Sequence, residues 1–454
     1  MDTFFVSSFG MFVMALFQPL FTASAWQSFA VLACGWALST HRHTISNSLW
    51  LTGATTLKHF SRFYVFVGGP LYTVRWQLWA RIVQHAATQV PQDEPIVVEL
   101  DDFTKKKAGR HIEGLARYRN AAGSARQEYR TLRGLHFVLG IMRLPLATWP
   151  EHRVTLPIGL ELYLKAPLAK ALKRLYHSRS TLARAIVDFV AQTLPGRGIR
   201  VVTDGGYATK DFLRHLPESV HVVSRLLITA QLYEAPKARK NPGPGRPPSK
   251  GKPIGSANTL ARKREGWLAH PSEAGTKVQS WLGLWHSVLP GRLIRVVVVR
   301  RSASKKTTTS RRRKPRPRVE AFFTTDLTLS VNDILEQYRD RWAVEIDIRD
   351  GQAFYGLGQD QCRKGRRIVG INTFRLVMAA ARTLWFVAQT QRMAPIALCR
   401  YRPWYRQKVA PSQLDIVWMC REALHAAGVF PIVRFQQGVA ENHDEPENTM
   451  PLAA

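Results

Sequence analysis

Cysteine is scarce in this 454-residue chain. Its four cysteines, Cys34, Cys362, Cys399 and Cys420, show no C-x-x-C spacing and no His pairs at zinc-finger distances, which excludes a disulfide framework and a zinc module. The expected compartment is the reducing cytoplasm. Acids are also in short supply: 32 Asp and Glu stand against 65 Lys and Arg, for a formal net charge of +33. That balance is too lopsided for an ordinary metabolic enzyme and points to a polyanionic partner. The basic residues are spread over several segments mixed with aromatics rather than gathered on one amphipathic helix, so nucleic acid is favoured over an anionic membrane. A long unbroken apolar run is missing too. Residues 3–40 carry no charged side chain, yet Gln18-Pro19 and the polar positions from Thr22 to Ser28 divide them, and no basic segment precedes the first run. They read as buried helices and not as a membrane-targeting segment.

What the chain does have is 45% hydrophobic residues, enough at this length for a large core and two or three domains. Residues 1–94 are apolar and aromatic at helical spacing, with polar breaks, and predict a small helical N-terminal domain whose basic side chains contact DNA. From Pro95 the texture becomes β-rich: Ile96–Leu100, Leu135–Leu144, Pro157–Leu164 and Ile199–Thr203 read as strands, with a helical pattern over Leu168–Leu194. Strands followed by a helix and another strand imply a mixed α/β core over 95–232. Residues 233–319 then read as a basic, β-rich insertion. Val278–Leu289 and Leu293–Val299 are apolar enough for strands, while N-P-G-P-G-R-P-P-S-K-G-K (241–252) and S-R-R-R-K-P-R-P-R (310–318) are too Pro-rich and charged to pack. The core resumes over 320–392, where Ser330-Val-Asn-Asp333 caps a helix expected to run unbroken from Asn332 past Glu345, and a second helix covers Ile371–Thr390. Residues 393–454 form a C-terminal region with an acidic, disordered tail.

Three acidic positions stand out. I-V-V-E-L-D-D-F-T-K-K-K-A-G (96–109) carries a strand up to Asp101 and Asp102, and R-V-V-T-D-G-G-Y (200–207) carries another up to Asp204. The C-terminal edge of strands in an α/β sheet is where ligands bind, although an aspartate after a strand is more often a turn or cap residue. The third position lies in Y-R-D-R-W-A-V-E-I-D-I-R-D-G-Q (338–352), where Tyr338, Arg341 or Trp342, Glu345, Arg349 and Gln352 recur at three- and four-residue intervals and share one helix face. A salt-bridged surface helix would explain the charges, but not Tyr338 and Trp342 among them.

With these motifs in order, residues 95–390 resemble the DDE transposases of bacterial insertion sequences, in the branch marked by Y-x2-R-x3-E-x6-K. Tyr338, Arg341 and Glu345 fit that spacing, and Gln352 stands where the lysine would be. D-D-F-T-K-K-K-A-G is similar to the branch's first-aspartate segment and V-T-D-G-G-Y-A to its second. V-V-S-R-L-L-I-T-A-Q-L-Y with G-R-P-P-S-K-G resembles the start of its insertion.

The resemblance implies an RNase H-like catalytic core in which Asp101 or Asp102, Asp204 and Glu345 bind two Mg²⁺ ions, with Mn²⁺ able to substitute. In-line displacement at a phosphodiester suits such a pair, and three gathered carboxylates would repel without it. Asp101 is favoured over Asp102, because the family segment reads D-D-T or D-D-S with the first aspartate catalytic. The resemblance also implies binding of double-stranded DNA by Tyr338, Arg341, Trp342, Arg349 and Gln352, with phosphate contacts from Lys105, Lys106 and Lys107. Lys364, Arg366 or Arg367 could compensate for the charge missing at Gln352. Gly245-Arg246-Pro247 is similar to the core of an AT-hook, which places Arg246 in a minor groove. The implied protein is a bacterial, nucleoid-associated transposase acting as a homodimer that binds terminal inverted repeats, cleaves the element's ends and joins their 3′-hydroxyls to target DNA. A catalytically silent DNA-binding derivative and an RNase H-like nuclease without strand transfer are the alternatives.

Overall fold

The computed structural model describes residues 2–119, 130–146, 149–236, 248–270, 272–301, 318–391 and 411–432, together with 393, 395–399, 403, 404 and 408. The Gly245-Arg246-Pro247 segment, nearly all of the 310–318 run and the acidic tail lie outside the described residues.

The strand I-V-V-E-L foreseen at Ile96 does form, and it runs on through both aspartates as β1 (Ile96–Lys106). It pairs antiparallel with β3 (Thr131–Leu146), which pairs antiparallel with β4 (Trp149–Tyr163), and its other edge runs parallel to β5 (Ile199–Thr203). Parallel to β5 lies β6 (Val220–Arg225). The order β4-β3-β1-β5-β6 is an RNase H-like mixed sheet. The short β2 (Ala116–Arg119) continues along β3. β3 is a nearly continuous buried run, not an alternating one, as befits a strand covered on both faces. One cover is the helix Arg179–Thr193, whose Ile186 comes so close to Gly140 on β3 and Gly159 on β4 that a Cβ at either would meet it at 2.7 and 3.0 Å.

The sheet continues past β6 in the order β12 (Arg318–Thr324), β11 (Leu293–Arg301), β10 (Thr276–Leu284), β7 (Gln231–Tyr233) and β8 (Pro253–Ser256), with β9 (Leu268–Ala269) on the flank of β10. β12 is the strand on which the core resumes and β7 straddles the start of the basic insertion, which itself adds β8, β9, β10 and β11. β10 and β11 pair without interruption from Thr276↔Arg301 to Leu284↔Leu293.

The longer helices are α1 (Ser8–Phe17), α2 (Ala23–Leu38), α3 (Arg75–Ala87), α4 (Arg179–Thr193), α5 (Val331–Asp340), α6 (Ala343–Phe354), α7 (Gly365–Thr390) and α8 (Gln413–Ala426). α7 is 26 residues long and buried on every side, and α1, α3 and α8 pack around it together with β4. A helix apolar all round belongs in the middle of a core, and one apolar cluster runs from Phe4 through β1, β3 and α7 to Val429. Aromatic pairs tie the N-terminal helices to it: Phe29 meets Phe374 edge-on at 5.4 Å and Phe9 meets Trp385 at 5.8 Å. Arg375 and Arg382 are buried within α7. Arg375 faces Asp360 at 3.6 Å and donates to the His43 carbonyl, whereas Arg382 stacks over Trp36 and Tyr355. No described helix is long and apolar enough to cross a membrane.

Two sequence expectations change. The pattern over Leu168–Leu194 gives a short helix Ala166–Ala171 and then α4, separated by a turn in which Lys173 adopts a φ of 53°. The helix expected from Asn332 past Glu345 begins at Val331 with the foreseen Ser330–Asp333 capping box but breaks into α5 and α6. At the break the amides of Arg341, Trp342, Val344 and Glu345 bond to carbonyls three residues back, a tightened turn.

The α2–α7 contact supplies a stability test. Phe374→Ala, which removes a buried ring, should cost about 3–5 kcal/mol, and Phe60→Ala at an exposed ring less than about 0.5 kcal/mol. Urea unfolding of the two variants measures the difference.

Candidate functional site

Backbone pairing alone brings the first two acids together. The last parallel partners of β1 and β5 are Leu100 and Thr203, so the next residue on each chain is an aspartate, Asp101 and Asp204. Asp204 opens a single 3₁₀ turn, Gly205–Tyr207. The buried Ser224 hydroxyl on β6 donates to the Thr203 carbonyl at 3.0 Å and to that of Asp204 at 3.2 Å, which fixes the exit of β5.

The break between α5 and α6 delivers the rest. Tyr338 donates its hydroxyl to Asp204 Oδ1 at 3.3 Å while its ring packs on Phe322 of β12 at 4.6 Å. Arg341 places Nη1 3.3 Å from Asp101 Oδ2 and Nη2 3.6 Å from Glu345 Oε1. Asp101, Asp204 and Glu345 therefore converge from three elements on one Tyr–Arg pair. Their convergence owes more to the tightened turn than to a shared helix face. Arg143 of β3 braces this arrangement from behind: it ion-pairs with the fully buried Glu99 of β1 and reaches Gln337 at 3.3 Å and Asp340 at 3.5 Å on α5.

Adjacent residues on a strand face opposite ways, and the two aspartates accordingly have different surroundings. On the α4 side, Asp102 accepts from Arg179 at 3.0 Å and from the Tyr207 hydroxyl at 3.0 Å, and His136 Nε2 lies 3.0 Å from its Oδ1. The Thr104 hydroxyl lies 2.8 Å from His136 Nδ1, and Tyr118 stacks on the imidazole. Burial works against the Asp102 charge, but His136, Arg179 and Tyr207 together hold the carboxyl below its usual range. Asp101 is poorer in partners. Burial pushes it up to about 6, with Asp102 and Glu345 adding repulsion and only the Asp102 amide and Arg341 opposing.

The remaining candidates divide. Trp342 is exposed at the break, whereas Arg349 pairs with its neighbour Asp350 at 3.1 Å and takes no part in the carboxylate group. Lys106 is exposed. Lys105 donates to Gln352 Oε1 at 3.2 Å. Lys107 turns inward to Asp360 at 3.3 Å, so its charge is neutralised within the fold. Lys364 pairs with Glu113 at 3.3 Å. Arg246 lies outside the described residues. Sequence reasoning passed over Glu99, Arg143, His136 and Arg179. A glutamate inside I-V-V-E-L was the one legible sign, since an acid in a buried strand requires a partner.

The donor set is hard oxygen of the kind divalent cations take, and burial, with repulsion from Asp102 and Glu345, makes the Asp101 charge costly. Arg341 stands between Asp101 and Glu345 where positive charge is needed. With the guanidinium there, no described group of three or more His, Cys, Asp and Glu side chains is gathered closely enough to hold a metal. The carboxylates fit a metal in chemistry and in sign, and Arg341 would have to give way to it.

A model of the family described as DDE superfamily endonuclease matches residues 15–284, which take in Asp101, Asp102 and Asp204 and end before α5. No curated protein matches the chain.

The raised Asp101 pKa has a signed consequence. A carboxyl raised from 3.8 to about 6 holds its proton more tightly folded than unfolded. Ionising it therefore costs stability, fully above pH ~6 and progressively less as pH falls toward ~4. Asp101→Asn should be more stable than the wild type by on the order of 2 kcal/mol near pH 7.5 without metal, and the gap should close near pH 4. Urea unfolding at the two pH values measures it.

Proposed function

Since the chain belongs to the DDE superfamily endonucleases, a family whose model covers 15–284, we propose that it is an insertion-sequence transposase acting on double-stranded DNA. The observation that supports this reading is the meeting of Asp101, Asp204 and Glu345 around Tyr338 and Arg341. In this reading Asp101, Asp204 and Glu345 are the residues that would hold Mg²⁺ or Mn²⁺. When bound, such ions supply charge stabilisation to the attacking and leaving oxygens of an in-line displacement. Asp102, already saturated by His136, Arg179 and Tyr207, keeps the strand and the Asp204 turn in place.

The chain's own groups then have separate duties. Arg341, once released from Asp101, has a guanidinium suited to a phosphate. Tyr338 stays beside Asp204 and orients the backbone entering the site, while the exposed Trp342 offers a surface to a base. Water cleaves the element's end by forming a bond to phosphorus as the bond to the 3′ oxygen breaks, leaving a 3′-hydroxyl and a 5′-phosphate. That hydroxyl then attacks a target phosphodiester and displaces a new 3′-hydroxyl, so the first step hydrolyses one phosphodiester and the second forms one as another breaks, without an energy donor. Recognition of terminal inverted repeats and a homodimer holding two ends complete the proposal, and the +33 charge supports it through general phosphate attraction.

The test is cleavage and joining of a duplex taken from the DNA bordering the coding sequence, with Mg²⁺. Asp101→Asn, Asp204→Ala and Glu345→Gln should each lower the cleavage rate on the order of 10³-fold, the kinetic equivalent of several kcal/mol of lost charge stabilisation. Asp102→Asn should lower the melting temperature more than it lowers the rate. Wild type as inactive as Asp204→Ala, with binding intact, would leave a silent DNA-binding protein; cutting without joined product would leave a nuclease.

A further inference from the structure

Residue 352 is a glutamine, and the site's helix therefore carries no positive charge at the position where the sequence pattern led us to look for one. The fold brings one there from elsewhere. Lys105 Nζ donates to Gln352 Oε1 at 3.2 Å across a sequence separation of 247 residues. Its stem lies in a fitted seat. Gly358 has a φ of 73°, and a Cβ there would come within 2.3 Å of Lys105 Cγ, so both the backbone conformation and the space require glycine. The Gly358 amide is fixed in turn by the buried Asn372 side chain at 2.9 Å.

The position of this ammonium is set by the same strand that carries Asp101. β1 pairs with β3 in unbroken register from Asp101↔Leu139 to Lys105↔Leu135, so Asp101, Phe103 and Lys105 share a face. Four residues of strand span roughly 13 Å. Along α6 the seven residues from Glu345 to Gln352 span roughly 10 Å. Strand and helix are in contact, with carboxylates at one end of the pair and an ammonium at the other.

Charge makes the seat a binding feature. Lys107 takes Asp360, which also faces Arg375. Lys105 is left with a neutral amide oxygen, and no described carboxylate pairs with it. Burial and the neighbouring Lys107 both disfavour its charge, with Asp360 opposing. A half-buried cation held in a fitted seat without an anion is set up to receive one.

We propose that Lys105 is the phosphate-binding cation of the DNA track on the α6 side of Asp101, with Gln352 as its positioning residue, so that the charge absent from residue 352 is supplied from β1. The proposal rests on the reading that DNA crosses the carboxylates.

The experiment uses the full chain in EDTA with the bordering duplex, and reads binding by fluorescence anisotropy over a series of salt concentrations. Wild-type binding to this duplex tests the DNA reading separately. Against that baseline, Lys105→Gln should flatten the slope of log Kobs against log salt by about 0.9, one phosphate contact. The exchanged pair Lys105→Gln with Gln352→Lys should restore it, because the ammonium then extends from α6 into the same place. An unchanged slope in a folded Lys105→Gln protein overturns the assignment and leaves the DNA reading intact. Failure of a folded exchanged pair to restore the slope overturns it as well, whereas restoration excludes loss through misfolding, which moving the charge would not reverse.

Discussion

Everything at the site depends on one parallel pairing, Leu100 opposite Thr203. A shift of one residue in that register would turn Asp101 away and bring Asp102 to its place, because side chains alternate along a strand. The register is held by burial rather than by the aspartates themselves. Val98, Leu100, Val201 and Val202 are fully buried, and the two small glycines that admit Ile186 let α4 lie tight against the neighbouring strands. Like charges can be brought close only where such a scaffold leaves them no alternative. Glu99 and Arg143 add a second constraint, since the pair fixes α5 to the strand that presents Asp101.

The pleat of β1 divides two neighbouring aspartates into two electrostatic settings. Asp102 meets a histidine, an arginine and a phenol, which together hold its carboxyl below the usual range. Asp101 meets one shared guanidinium and a second acid, and its charge is costly. Fixed, satisfied charge serves structure, while costly charge marks a place where a ligand can improve matters. The distinction is legible only because strand direction separates groups that are adjacent in sequence.

Much of the framework could be read from the chain. Ile199–Thr203 forms a strand between those very residues, the Ser330–Asp333 cap forms as a capping box, and the continuous apolar pattern near Ile371 becomes the buried α7. These features are set by local propensity and periodicity. The carboxylate positions followed from strand ends and from the resemblance. Illegible features were those decided by distant partners. Nothing local breaks the helix at Arg341, where the guanidinium lies between Asp101 and Glu345. Nor does a triple lysine announce that one member goes to Asp360, one to Gln352 and one to solvent. The compensation is expected from Lys364, Arg366 or Arg367, close to Gln352 in sequence, whereas the ammonium that bonds Gln352 comes from β1.

Because the insertion adds its strands to the core sheet, it also acts as a ruler. From β5, whose end leads into Asp204, to β10 there are four strand steps, by way of β6, β12 and β11. At about 4.8 Å each they amount to roughly 19 Å, a little over half of one duplex turn of about 34 Å. The right-handed twist of about 20–25° per step turns β10 by roughly a quarter of a circle relative to β5. The outer strands are thereby held at a set distance and a set rotation from Asp204 by the pairing through β6, β12 and β11. Gain or loss of a strand in that region would change both quantities at once.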